Sequence, residues 1–166
     1  MTRYVLFGNS GSGKSTLAIR LAGARGLAHL DLDTLAWLPG MPPLRRAVAD
    51  SARDIVTFTD ANDRWVIEGC YADLVDVSLA RCTQVVFLNP GVEACVANAR
   101  TRPWEPHKYP SPQAQDASLD MLIGWIRDYE TREDAFSLAA HRAVFDRFTG
   151  DKHELTSREK IAAFSG

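Results

Sequence analysis

Eight residues near the N-terminus, Gly8-Asn9-Ser10-Gly11-Ser12-Gly13-Lys14-Ser15, have the types and spacing needed to grip a chain of phosphates. A loop that wraps phosphate oxygens must bring backbone N–H groups close, so its turns need positive φ and no Cβ in the way. Gly8, Gly11 and Gly13 supply that freedom, and Lys14 is placed to reach the β- and γ-oxygens of a nucleotide. Ser15 offers a hydroxyl to Mg²⁺, with Ser10, Ser12 and Thr16 completing the cradle. The flanks agree with this reading. Tyr4-Val5-Leu6-Phe7 is a short apolar run of strand type, and Leu17, Ala18 and Leu21 repeat at helical spacing. The helix opening there would aim its N-terminal N–H groups at the same anion.

A phosphoryl acceptor must lose a proton, and Mg²⁺ needs oxygen ligands. Asp31 and Asp33, spaced i, i+2 at the end of a strand, are expected to point the same way, into the crevice at the carboxyl edge of the sheet. Glu68, closing Trp65-Val66-Ile67-Glu68-Gly69, is the third candidate acid. Asp31 and Asp33 could divide those two tasks between them, and Glu68 stands where an acid holds Mg²⁺ through water in P-loop enzymes, beside the Ser15 hydroxyl. Charge that spreads over a transferring phosphoryl group calls for arginine. Arg100 and Arg102 enter an irregular stretch, and Arg127 and Arg132 follow it; Arg102 and Arg127 are the candidates singled out. Arg45, Arg46 and Arg53 read more simply as the polar face of a helix.

To position these groups the pattern alternates strands with helices. Strands are expected at Arg3–Phe7, Ala28–Leu32, Trp65–Glu68, Gln84–Leu88 and Lys152–Leu155, spaced for crossover helices, which gives an α/β fold around a mainly parallel five-stranded sheet. One helix follows the cradle and ends around Gly23–Gly26. A second is expected over Pro43–Asp60, with the prolines in its first turn and a stripe of Leu44, Val48, Ala52 and Ile55. Others are expected over about Leu119–Tyr129 and Asp134–Phe148, and a capping box of Thr156 and Glu159 would open a last one. Thr101–Ser118, with four prolines, reads as a lid or binding loop. The expected organisation is one domain over 1–166, with core 1–33, 64–100 and 119–166, an arm at about 34–63 and the lid at about 101–118.

Composition narrows the partners. With 19 basic and 21 acidic residues the formal charge is −2, and no basic stripe suggests nucleic acid. Cys70, Cys82 and Cys95 are an odd number without Cys-x-x-Cys spacing, which argues for reduced thiols and the cytosol. No apolar run approaches the ~18 residues of a membrane span. A monomer or homodimer is expected.

Taken together, the cradle, His29-Leu30-Asp31-Leu32-Asp33, Trp65-Val66-Ile67-Glu68-Gly69-Cys70-Tyr71 and Val85-Val86-Phe87-Leu88-Asn89-Pro90 resemble the small P-loop kinases. The likeness is to adenylate-kinase-like proteins of the bacterial topology-modulation type, grouped with shikimate kinases. It implies a three-layer P-loop fold, ATP and Mg²⁺ as cofactors, Asp31 beside the metal and Asp33 at the acceptor. Two arginines four apart follow the fourth strand in adenylate kinases; here the pair reads Asn98 and Arg102. The arginine expected after Glu68-Gly69 for a nucleoside monophosphate is missing, as is the Gly-Gly-Gly run of shikimate kinases. The expected function is an ATP- and Mg²⁺-dependent phosphotransferase acting on a small metabolite or nucleotide. The alternative is a nucleotide-binding regulatory protein that transfers nothing.

Overall fold

The computed structural model describes residues 1–40 and 42–166; Met41, inside the expected arm, lies outside the described residues. All five expected strands form: β1 Arg3–Gly8, β2 Ala28–Asp31, β5 Trp65–Gly69, β6 Gln84–Leu88 and β7 Asp151–Leu155. They make one parallel sheet in the order β2-β5-β1-β6-β7. Between β2 and β5 a short antiparallel hairpin pairs β3, Trp37–Leu38, with β4, Leu44–Arg45. The helices are α1 Lys14–Arg25, α2 Asp33–Ala36, α3 Val48–Ala61, α4 Ala72–Leu79, α5 Val92–Thr101, α6 Pro112–Ala117, α7 Leu119–Arg127, α8 Leu138–Arg147 and α9 Arg158–Ala163.

Central strands covered by helices on both faces read as unbroken apolar runs. Tyr4, Val5, Leu6 and Phe7 are accordingly all fully buried. Val5, Phe7, Ile67, Val85 and Phe87 face Ile55 of α3, Leu74 and Val75 of α4 and Val144 of α8. Tyr4, Leu6, Val66 and Val86 face Leu17, Ala18 and Leu21 of α1, with Ile161 of α9 beside them. A third cluster of Cys95, Val96, Ala99, Ile123 and Ile126 joins α5 to α7. The edge strand β7 keeps Asp151, Lys152 and His153 exposed, which discourages pairing with another sheet.

Three local expectations give way. The second helix starts at Val48, not Pro43, because residues 44–45 pair with 37–38 as a hairpin. Its buried stripe is Ser51, Ile55 and Thr59, while Leu44 and Val48 are exposed. The same shift removes Arg45 and Arg46 from that helix and leaves Arg53 on it. The helix after residue 134 starts at Leu138, where the Ser137 hydroxyl accepts the Ala140 N–H. The last helix is capped by Ser157, which accepts the Lys160 N–H, rather than by Thr156.

His141 of α8 is fully buried against Phe7 and Phe87. Its Nε2 lies 2.9 Å from the Cys70 carbonyl, which can only accept, so Nε2 carries the proton and Nδ1 accepts the Tyr129 hydroxyl at 2.7 Å. Burial pushes this imidazole down to about 4. The unfolded chain takes up a proton near 6.5 and the folded one does not, so His141 contributes stability above that pH and loses it as pH falls towards 4. His141→Gln should be less stable than the parent at pH 7.5, and the gap should shrink by about 3 kcal/mol at pH 4. Urea unfolding at the two pH values measures this.

Candidate functional site

The loop after β1 turns through the carboxyl edge of the sheet, between β5 and β6. Its glycines are required there. Gly8 has φ +152° and a Cβ on it would lie 2.2 Å from the Leu88 carbonyl oxygen; Gly11 has φ +76° and its Cβ would lie 2.5 Å from that of Cys95. The loop is gripped from outside: Asn98 of α5 donates to the Gly11 carbonyl at 2.8 Å, and Asn9 donates to the Ile126 carbonyl of α7 at 3.1 Å. Asn98, at the position where the likeness expects an arginine, therefore fastens the cradle. Lys14 is buried with Nζ 2.8 Å from the Asn9 carbonyl, so its ammonium lies along the cradle's own backbone. Ser12 is buried and its hydroxyl has no hydrogen-bond partner.

The acid pair is reached differently from the expected strand alternation. β2 ends at Asp31, Leu32 is helical, and Asp33 opens α2, so the two carboxylates do not share a strand face. A turn brings them together instead: Asp31 Oδ1 accepts the Asp33 backbone N–H at 2.9 Å. Asp31 is register partner to Glu68, and these two acids lie beside each other on adjacent strands. Burial, helped by Glu68 and Asp33, pushes the Asp31 carboxyl up to about 6. Burial also acts on Asp33, but Lys108 and the Tyr71 hydroxyl outweigh it and hold Asp33 below the usual carboxylate range.

Two residues not assigned a role from sequence complete the surroundings of Asp33. Tyr71 donates its hydroxyl to Asp33 Oδ1 at 2.5 Å and accepts the Trp37 indole N–H at 2.8 Å. Lys108 Nζ lies 2.7 Å from Asp33 Oδ2, 3.6 Å from Glu105 and 3.9 Å from Asp31. Neither is adjacent to Asp33 in sequence, so no local spacing signals the contact. The aromatic wall continues through Phe136, which meets the ring of Tyr71 and that of Trp125 edge-on. Arg45 stacks on Tyr71 and pairs with Asp73 at 3.1 Å, and Arg132 stacks on Trp125 and pairs with Asp134 at 2.7 Å.

Arg102 pairs with Glu105 at 3.1 Å. Arg127 is exposed at the end of α7, one residue beyond the carbonyl that receives Asn9, and has no ion pair among the described residues. Glu68 is buried with Oε1 lacking any hydrogen-bond partner, 3.5 Å from His29 Nε2. A buried carboxylate oxygen left without a donor suits a metal or a metal-bound water. Among the described residues no three His, Cys, Asp or Glu side chains form a metal cage.

A family model described as an AAA domain matches residues 4–149, which spans the cradle, the acid pair and Lys108. The chain belongs to the AAA domain family. Among solved structures, this AAA domain is similar to a shikimate kinase from Bacteroides thetaiotaomicron, with TM-score 0.55 and 18% identity over 98% of this chain and 93% of that one. A shikimate kinase from Acinetobacter baumannii in complex with shikimate gives 0.52 and 18% over 97% and 87%. A gluconokinase from Sinorhizobium meliloti 1021 gives 0.53 and 18% over 99% and 87%. Comparison with curated proteins gives no match. The AAA domain thus has the fold of the small P-loop kinases, as the sequence resemblance implied. Among its described residues no helix is long and apolar enough to cross a membrane.

Proposed function

We propose that the protein is an ATP- and Mg²⁺-dependent phosphotransferase whose acceptor is a hydroxyl of a small molecule. The observation that carries this reading is Asp33: a carboxylate held ionised, oriented through one oxygen by Tyr71, on the sheet edge that also carries the cradle. Gly8 to Thr16 would hold the triphosphate, with Lys14 moving from the Asn9 carbonyl to the β- and γ-oxygens. Ser15, Asp31 and Glu68 would hold Mg²⁺, directly or through water, and the ion would neutralise charge on those oxygens.

Asp33 then takes the proton of the acceptor hydroxyl as its oxygen bonds to the γ-phosphorus, the bond to the bridging oxygen breaks, and ADP leaves. A phosphate or carboxylate acceptor attacks through an oxygen that needs no general base, and it would meet Asp31 and Asp33 with like charge. Arg127, which has no ion pair among the described residues, and Arg102, released from Glu105, are the arginines that would answer the charge of the transferring group.

Titration calorimetry with Mg·ATP, followed by an ADP-release screen over polyols, sugars, nucleosides and amino alcohols, tests the reading. Absence of Mg·ATP binding overturns it. Binding with no acceptor-dependent ADP release favours the nucleotide-binding regulator. Tyr71→Phe should lower kcat about tenfold with a smaller change in KM for ATP, because Asp33 loses the hydroxyl that orients it.

A further inference from the structure

We propose that Lys108 is a latch that competes with the acceptor for Asp33. Residues 102–111 carry several bonds of their own: Trp104 Nε1 to the Tyr109 carbonyl, the Lys108 and Tyr109 amides to the Glu105 carbonyl, and Gln115 to the Arg102 and Pro103 carbonyls. All of these stay within or next to the segment. Among the described residues, its hydrogen bonds and ion pairs to anything before residue 102 are made by one group, the Lys108 ammonium, to Asp33 and Asp31. Among the described residues, that cation is therefore the segment's one polar fastening across the crevice.

The point of attachment is the atom the chemistry needs. Asp33 Oδ1 is engaged by Tyr71, which leaves Oδ2 as the oxygen to accept an acceptor's proton, and Lys108 Nζ sits 2.7 Å from it. An acceptor hydroxyl and the ammonium cannot both hold that lone-pair direction at full strength. Acceptor binding displaces Lys108 from Oδ2, and the cation remains close by, tethered to Glu105. Glu105 in turn is fixed by Arg102, so release of the latch and release of Arg102 are coupled through one carboxylate. The group that takes the place of Lys108 must itself donate a hydrogen bond, so the device selects for an acceptor that presents a donor.

This rests on Asp33 as the acceptor-facing base, but its test needs no turnover, so either can fail while the other stands. The experiment is amide hydrogen exchange on the full chain, followed by mass spectrometry of peptides over 102–111, with a peptide over 3–8 reporting global opening. Lys108→Met keeps the aliphatic stem and removes the charge. Both K108M and D33N should speed exchange of the Tyr109 amide by about five- to tenfold, and the double variant should be no faster than either single one. Unchanged exchange in the single variants, or additive effects in the double, overturns the latch. Should D33N also loosen residues 3–8, the K108M result alone decides.

Discussion

Lys14→Ala is expected to lower ATP-dependent phosphoryl transfer by about 10³-fold or more and to weaken Mg·ATP binding in the same variant. The ammonium is buried, held 2.8 Å from the Asn9 carbonyl, and has a flexible stem that carries it along the cradle to the oxygens of a bound nucleotide. Alanine removes the one cation inside the loop and leaves the β- and γ-charges to backbone N–H groups, the metal ion and arginines from outside the loop. The glycines that shape the loop are untouched, so thermal unfolding should show a folded protein. Titration calorimetry gives the binding loss and an ADP-release assay the rate. Wild-type affinity for Mg·ATP in this variant would remove Lys14 from the phosphate site.

Asp33→Asn should separate binding from chemistry. The amide keeps an oxygen for the Tyr71 hydroxyl but cannot take a proton, so transfer should fall by about 10²- to 10⁴-fold while Mg·ATP still binds. Because Lys108 and Tyr71 hold the wild-type carboxyl below its usual range against the opposing effect of burial, Asp33 is ionised well into mildly acid solution. With Mg·ATP saturating and acceptor limiting, so that Lys108 still holds Asp33, the acid limb of the kcat/KM profile for the acceptor should therefore lie below the ordinary carboxylate range. A regulator that only binds nucleotide would show no acceptor-dependent product for D33N to lose. Full turnover in D33N, with nucleotide bound, would dismiss Asp33 as the base.

The two variants probe parts of the site that were unequally legible. The cradle is local: eight consecutive residues dictate their own conformation, since positive φ at Gly8 and Gly11 and the absence of Cβ are properties of those residues alone. The sheet was legible for a related reason. Strands buried on both faces, such as Tyr4–Phe7 and Val85–Leu88, read as unbroken apolar runs wherever they sit in the chain. The arm was misread because Leu44 and Val48 fall at helical spacing by coincidence, and cross-strand pairing with Leu38 claims Leu44 for a hairpin instead. Asp33 lies near Asp31 through an i to i+2 side-chain bond in a turn, not through strand alternation.

The glycine-rich loop, the five-stranded parallel sheet and the acids at its carboxyl edge follow from the amino-acid sequence, because each is written in neighbouring residues or in a simple period. Only the tertiary structure decided what surrounds Asp33. Tyr71 arrives from 38 residues away and Trp37 joins through it, while Lys108 crosses the crevice from a proline-rich segment with no period to read. Such contacts depend on how the chain returns to one point in space. No residue type or spacing encodes that return locally, so the loop and the acids were visible in the sequence and the groups that meet Asp33 were not.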